Sequence, residues 1–358
     1  MLPKANPSIY TIKPYIGGDV TPLGFSRRIV LASNENPFGP SPESLKVLHD
    51  TQLNLASYPS GRASKLVEAI SDVYGWPQDH IVCGNGSEEI LHLIAKVFAG
   101  VGDDIVSPTH GFLVYRIATF AASANPVFYE QPDLKQNVDA ILKAITPQTK
   151  VIYIDNPANP LGSALMRDDL KRLIETVPKH VVIALDEAYA EFVEDDCYAS
   201  GLEFLKDHQN LIILRTFSKV YGLAGMRVGY AFAHPDVLDP LHRVRAPFNV
   251  GSMAQSMAAS AIRDHYWVKK TRDHTIKMRA WTKKNLEALG YEVLPSFGNF
   301  LLINFESEQR ADEVYQTLGK RGIMIRPVKA YGLPQYLRVS IGTEEQMHEF
   351  IDAMQELK

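Results

Sequence analysis

Cysteine is scarce in this chain: Cys83 and Cys197 are the only two among 358 residues. Two thiols cannot build a disulfide framework and suit a reducing compartment. Cys83 ends the apolar run Ile81-Val82-Cys83 and reads as core rather than nucleophile. Long apolar runs are missing as well, since none approaches the roughly 20 residues that span a bilayer. The segment Met1-Leu2-Pro3-Lys4-Ala5-Asn6-Pro7 has no charged region followed by an apolar one, so a cytoplasmic protein is expected. Nor is charge of one sign in excess: 37 Lys and Arg face 41 Asp and Glu, for a formal net charge of -4. The densest basic stretch, Lys269 to Lys284, follows a helical pattern and reads as a solvated face, which speaks against a nucleic-acid partner. There is no glycine loop ending in Lys-Ser or Lys-Thr, no G-x-S-x-G and no H-E-x-x-H among the 11 histidines. Metal catalysis is not expected, and neither internal repeats nor low-complexity tracts occur.

What is present is a globular composition, 46% hydrophobic and 22% charged, on a chain longer than single cores usually support. The first 40 residues are rich in Pro, Gly and Asn and read as an extended arm, densest in turn residues from Asn34 to Pro42. Apolar strand runs then recur at Ile81 to Cys83, Val151 to Ile154, Val181 to Leu185, Leu211 to Leu214 and Val228 to Phe232. A helix is expected from Ser87, because Ile90, Leu91, Ile94, Val97 and Phe98 share one face. Short strands without polar alternation, separated by helices, predict an α/β fold with a mostly parallel sheet covered by helices on both faces. From about residue 260 the pattern changes to a long charged helix, Asp264 to Leu289, strands at Phe300 to Phe305, Gly322 to Val328 and Tyr336 to Ile341, and a terminal helix from Thr343. The expected division is an arm over 1–30, a large domain over 31–260 and a smaller α+β domain over 261–358.

Ligands of open α/β sheets bind where the strands end, and the residues after each apolar run here are chemically rich. Gly84-Asn85-Gly86-Ser87-Glu88-Glu89 is a strand-to-helix turn whose backbone N–H groups at Gly86, Ser87 and Glu88 can take an anion. Read alone, Gly84 and Gly86 could open a dinucleotide fingerprint, with Asp103 or Asp104 near the ribose spacing, but Glu89 stands where the third glycine belongs. Further strand ends carry Asp155 to Gly162, Asp186-Glu187-Ala188-Tyr189, and the turn Thr216-Phe217-Ser218-Lys219 followed by Arg227. A lysine at a strand end can form a Schiff base with an aldehyde once its amine is partly desolvated, while Thr216, Ser218 and Arg227 could hold an attached phosphate.

The segments Asn156 to Gly162, Asp186 to Tyr189, Thr216 to Lys219 and Gly225 to Gly229, in this order, resemble the fold type I pyridoxal-phosphate aminotransferases, and within them the histidinol-phosphate branch. Leu31 to Gly39, Tyr58-Pro59, Arg245 to Val250, Ile325-Arg326-Pro327 and Tyr331 to Thr343 extend the likeness over nearly the whole chain. The resemblance implies pyridoxal 5'-phosphate as cofactor, with Lys219 as covalent tether and proton-transfer base. It implies Asp186 against the pyridine nitrogen, and Tyr189 and Asn159 on the phenolic oxygen. Thr216, Ser218, Arg227 and the backbone of Gly86, Ser87 and Glu88 would hold the phosphate. Phe112, three residues before Tyr115, is expected to stack on the ring in preference to His110. Tyr58 would reach the phosphate of a neighbouring subunit, implying a homodimer with shared active sites.

Arg338 would bind the carboxylate of glutamate or 2-oxoglutarate, or the substrate's phosphate. Arg326, Asn34 and Tyr15 from a second subunit's arm would complete the substrate site. Ala158 and Leu161 depart from the family's usual asparagine and threonine, which bears on substrate more than on cofactor. The implied reaction converts histidinol phosphate and 2-oxoglutarate to imidazole-acetol phosphate and glutamate, a step of histidine biosynthesis, by a ping-pong course. An aromatic amino acid aminotransferase or a phospho-amino-acid decarboxylase of the same fold is the alternative. A nicotinamide dehydrogenase and a non-catalytic ligand-binding regulator stand further off.

Overall fold

The structure of the chain, a computed structural model, describes residues 4–12, 28–49, 54 and 56–358. Its centre is a sheet of seven strands: β1 (Ile81–Gly84), β2 (Asp104–Pro108), β3 (Asn125–Tyr129), β4 (Thr149–Asp155), β5 (Val182–Asp186), β6 (Leu211–Thr216) and β7 (Gly229–Ala233). They lie in the order β1-β7-β6-β5-β4-β2-β3. Neighbours pair in parallel except β7, which runs antiparallel to both β1 and β6.

The strands lack polar alternation because both faces are covered. Ile152, Ile154, Ile183, Leu185 and Ile213 point into one apolar cluster, with Leu66, Ile70, Leu170, Leu173 and Met257 from the helices on that side. The alternate residues Val151, Tyr153, Val182, Ala184, Ile212 and Leu214 point into another, closed by α1 (Gly86–Phe98) and α2 (Leu113–Ala121). A period of two thus sends each strand's side chains to opposite faces, and both are dry. The apolar face anticipated for the helix near Ser87 is that of α1, which begins one residue earlier.

Two strands of this sheet escaped the reading of apolar runs. β2 and β3 carry Asp104, Ser107, Pro108, Asn125 and Pro126, which break the hydrophobic pattern. β3 lies at the sheet edge, where a proline removes no essential ladder bond.

The C-terminal region contains the long helix α3 (His265–Ala288), capped by Asp264 through its carboxylate on the Trp267 N–H at 3.0 Å. Beside it lies an antiparallel sheet of β8 (Glu292–Val293), β9 (Phe300–Asn304), β10 (Arg326–Pro327) and β11 (Tyr336–Ser340), in the order β10-β11-β9-β8. The terminal helix α4 (Glu344–Gln355) opens with a full capping box between Thr343 and Gln346. The single strand expected over Gly322 to Val328 is divided. Ile323 and Met324 pair in parallel with Ile29 and Val30, whereas Arg326 and Pro327 pair with β11. Consequently Ile29 and Leu31 sit in the same core as Leu301, Val339 and Phe350. No helix among the described residues is long and apolar enough to cross a membrane.

Candidate active site

In register, β4 and β5 end on Asp155 and Asp186, and β6 ends beside them on Thr216. A cavity of about 240 Å³ opens there, bounded by these strand ends, the start of α1, residues 32–35, and Arg326, Tyr331 and Arg338 from the C-terminal region.

Lys219 follows β6 by three residues, and its Nζ donates to the Ser33 carbonyl at 3.1 Å. Burial is the largest influence on this amine, with the Arg338 guanidinium next, and together they pull it down to about 7. Asp186 moves the other way, up to about 6, mainly because its carboxyl is buried. The Tyr115 hydroxyl donates to its Oδ2 at 3.1 Å and the Ala188 N–H to its Oδ1 at 3.1 Å. Tyr189 places its ring 5.6 Å from Lys219 Nζ. Its hydroxyl accepts from Asn34 Nδ2 at 3.0 Å, and burial raises its proton affinity. Asn34 is itself fixed, with φ of 54° and its Oδ1 accepting from the Ser340 hydroxyl at 3.0 Å.

Arg338 comes from the middle of β11. One terminal nitrogen donates to Asn159 Oδ1 and the other to the Ala32 carbonyl at 2.9 Å, while its buried Nε has no hydrogen-bond partner among the described residues. Arg326 is buried in the same wall.

On the opposite side Ser87, Glu88, Thr216, Ser218 and Arg227 line the cavity, with Arg227 Nη2 3.6 Å from Glu88 Oε2. Two glycines make this corner possible. A Cβ on Gly86, whose φ is +77°, would stand 2.6 Å from Arg227 Nη2, and one on Gly229 would stand 2.3 Å from the Ser87 nitrogen. The two glycines thus leave the N-terminus of α1 uncrowded beside the cavity that Ser87 and Glu88 line, a position suited to an anion.

Phe112 lines the cavity and packs edge-on against Tyr115 at 5.8 Å. His110 instead turns its Nδ1 to the Tyr331 carbonyl at 2.7 Å. Tyr58 lies away from the cavity of its own chain, exposed and stacked on Phe248 at 4.7 Å. Tyr15 lies outside the described residues. Sequence reasoning passed over Tyr115 and gave Asp155 no role. Each left a signal: a tyrosine on the buried face of a helix needs a partner for its hydroxyl, and Asp155 is the first charge after an apolar strand.

The donor set combines a reactive amine, a buried carboxylate within the same walls, and a corner of hydroxyls, an arginine and helix N–H groups. It fits a ring-bearing aldehyde that carries a phosphate. Fold and site together define a transaminase of the aminotransferase class, and residues 26–354 match the family model for aminotransferase class I and II.

The histidinol-phosphate aminotransferase of Rhodospirillum centenum is 41% identical over 353 residues, 98% of this chain and 98% of its own. That of Rhodopseudomonas palustris is 40% identical over 355 residues, 98% of this chain and 97% of its own. At this identity over the whole length, the chain belongs to the histidinol-phosphate aminotransferases within class I and II. Among solved structures, the histidinol-phosphate aminotransferase of Sinorhizobium meliloti, in complex with pyridoxal-5'-phosphate, superposes with a TM-score of 0.92 at 24% identity, covering 100% of this chain and 98% of that one. The aspartate aminotransferase of Thermus thermophilus with maleate gives 0.84 at 18% identity, covering both chains completely. These two likenesses establish the fold.

Proposed function

We propose that this chain transfers the amino group of histidinol phosphate to 2-oxoglutarate, giving imidazole-acetol phosphate and glutamate, with pyridoxal phosphate as cofactor. The observation that carries the reading is one cavity holding the lowered amine of Lys219, the buried carboxylate of Asp186 and two arginines, Arg326 and Arg338.

The cofactor, when bound, supplies an aldehyde for amines and a ring that accepts the electron pair of a deprotonated substrate carbon. Lys219 would tether it, and the same amine would move the proton at the substrate carbon. An amine brought to about 7 is half neutral at that pH and so serves as base and acid in turn. Asp186, steadied by the Tyr115 hydroxyl, would keep a proton on the ring nitrogen. Tyr189, whose direction Asn34 fixes, and Asn159 would bind the phenolic oxygen. Phe112 would stack on the ring. Thr216, Ser218, Arg227 and the N–H groups of Gly86, Ser87 and Glu88 would hold the phosphate. Arg338 and Arg326 would take the anionic group of either substrate, Arg338 through a guanidinium whose Nε has no hydrogen-bond partner among the described residues.

We take the working form to be a homodimer in which Tyr58 and Tyr15 complete the neighbouring site; the exposure of Tyr58, away from the cavity of its own chain, supports this reading. The two free cysteines suit a cytoplasmic location.

The test is a panel of amino donors with 2-oxoglutarate and added pyridoxal phosphate, reading glutamate and the oxo product. Histidinol phosphate is expected to react fastest, and Lys219→Ala to lose at least about a hundredfold in rate. Faster turnover of phenylalanine or tyrosine, or release of carbon dioxide from a phosphorylated amino acid, would replace the proposed reaction by one of its alternatives.

A further inference from the structure

Asp155 is a second carboxylate on the cavity floor, and the reaction as derived does not use it. It ends β4 directly across from Asp186 at the end of β5. Both line the cavity, and their side chains are almost wholly buried, with relative exposures of 3% and 5%. Adjacent strands lie about 5 Å apart, so two ionised carboxylates at these positions repel strongly in a dry site.

Their partners differ. Asp186 accepts from the Tyr115 hydroxyl and the Ala188 N–H and feels the Lys219 amine. Asp155 accepts only from neutral amides: the Asn159 N–H on Oδ2 at 2.8 Å and Gln136 Nε2 on Oδ1 at 3.0 Å. Gln136 is held in turn by the Tyr129 hydroxyl on its Oε1 at 3.0 Å. Among the described residues, the titratable groups that act most strongly with Asp155 are Asp186 from β5, Tyr115 from α2 and Tyr129 from β3, and none of these three is a cation.

We propose that Asp155 is a positioning residue that shares one proton with Asp186: it takes up the proton that Asp186 gives away, so that near neutral pH the pair turns a single negative charge toward the cofactor. The same side chain anchors the Asn159 amide and, through Asn159, the guanidinium of Arg338. The inference rests on the assignment of Asp186 to the ring nitrogen. The order of ionisation agrees with the contacts. Burial, opposed by the Asn159 N–H and reinforced by the charge of Asp186, brings Asp155 up to about 7, one step above Asp186 at about 6. As in any strongly interacting pair, the two steps belong to the pair.

The experiment is a carbon-13 NMR titration of aspartate side-chain carboxyls in the full chain without cofactor. In the unsubstituted protein the Asp186 resonance should titrate in two steps, the second coinciding with ionisation of Asp155 near neutral pH. Asp155→Asn keeps the shape and an acceptor for the Asn159 N–H but removes the charge. Asp186 should then titrate in one step, with a proton affinity about tenfold lower than it has beside ionised Asp155. An Asp186 curve unchanged within twofold in that variant would overturn the proposal. So would an unsubstituted protein in which Asp155 titrates below pH 5, a result that needs no variant to fold. Because neither cofactor nor substrate is present, failure to turn over histidinol phosphate would sink the proposed reaction and leave this measurement standing.

Discussion

Lys219 should destabilise the cofactor-free protein, and the amount can be worked out from its surroundings. Burial, with Arg338 second, takes the amine from its ordinary 10.5 to about 7, roughly 3.5 units at about 1.4 kcal/mol each. The upper bound is therefore about 5 kcal/mol, and because the side chain is only partly withdrawn from water about 2 kcal/mol is the smaller figure to expect. The folded-state pKa lies below the unfolded one, so folding excludes protons that the unfolded chain binds. The cost is absent above about pH 10.5, grows as pH falls, and is complete below about pH 7. Lys219→Met removes the amine at nearly constant volume and forfeits the bond to the Ser33 carbonyl, a loss that depends little on pH. Urea unfolding of both proteins without cofactor, at pH 7 and at pH 10, isolates the effect, because groups remote from Lys219 cancel between them and Asp186, at about 6, is mostly ionised at both pH values. The variant should gain about 1 to 3.5 kcal/mol relative to the parent on going from pH 10 to pH 7, because part of the cost is already present at pH 10. A difference between the two proteins that is the same at both pH values would refute the claim that the amine is desolvated.

Two glycines with nearly the same backbone give a paired test of the lysine turn. Gly222 has φ of +72° and a Cβ there would stand 2.2 Å from the Gly39 carbonyl oxygen, whereas Gly39, at φ +69°, has open space. Gly39→Ala should cost only the left-handed strain of about 1–2 kcal/mol, while Gly222→Ala should cost more and also weaken cofactor binding by displacing Lys219; thermal melts and cofactor titrations compare them. Below that turn, Arg215 pairs with Glu187 and, at 2.9 Å, with Glu191, all buried or nearly so. Arg215→Met should cost about 3–5 kcal/mol by stranding the carboxylates. The defect should shrink on acidification, because Glu191, already raised by burial, loses the arginine that lowers it and takes up a proton at higher pH than in the parent; denaturant unfolding at pH 5 and pH 8 reads this.

The sheet centre was legible because β4, β5 and β6 are apolar on both faces, and the site because polar residues crowd behind them. Lys219, Asp186, Asn159 and Arg227 follow strands in a regular way, so their meeting could be foreseen from strand ends alone. Tyr115 could not, since it reaches Asp186 across 71 positions from a helix, and nothing in its own segment names that partner. The division between Ile323–Met324 and Arg326–Pro327 was equally hidden, because it depends on Ile29 and Val30 arriving from the far end of the chain. β2 and the edge strand β3 were lost for a third reason: prolines and polar residues interrupt both, and apolar continuity is the signal they lack.

The two reactive groups of the cavity shift toward each other. A lysine and an aspartate joined in an isolated ion pair would have their pKa values driven apart, each charge sustaining the other. Here burial outweighs that attraction on both sides, and Arg338 adds a repulsion on the lysine, so Asp186 comes up to about 6 and Lys219 down to about 7. Groups this close in proton affinity exchange protons with small free-energy steps near neutral pH, which suits an enzyme that must move one proton on and off a carbon in each half of its cycle. The same arrangement is a standing cost to the fold, offset by the apolar clusters on both faces of the central sheet. Burial penalises the charged forms of Lys219 and Asp186, and a bound ligand that carries complementary charge would relieve both penalties. Binding of the cofactor should therefore return stability as well as create activity.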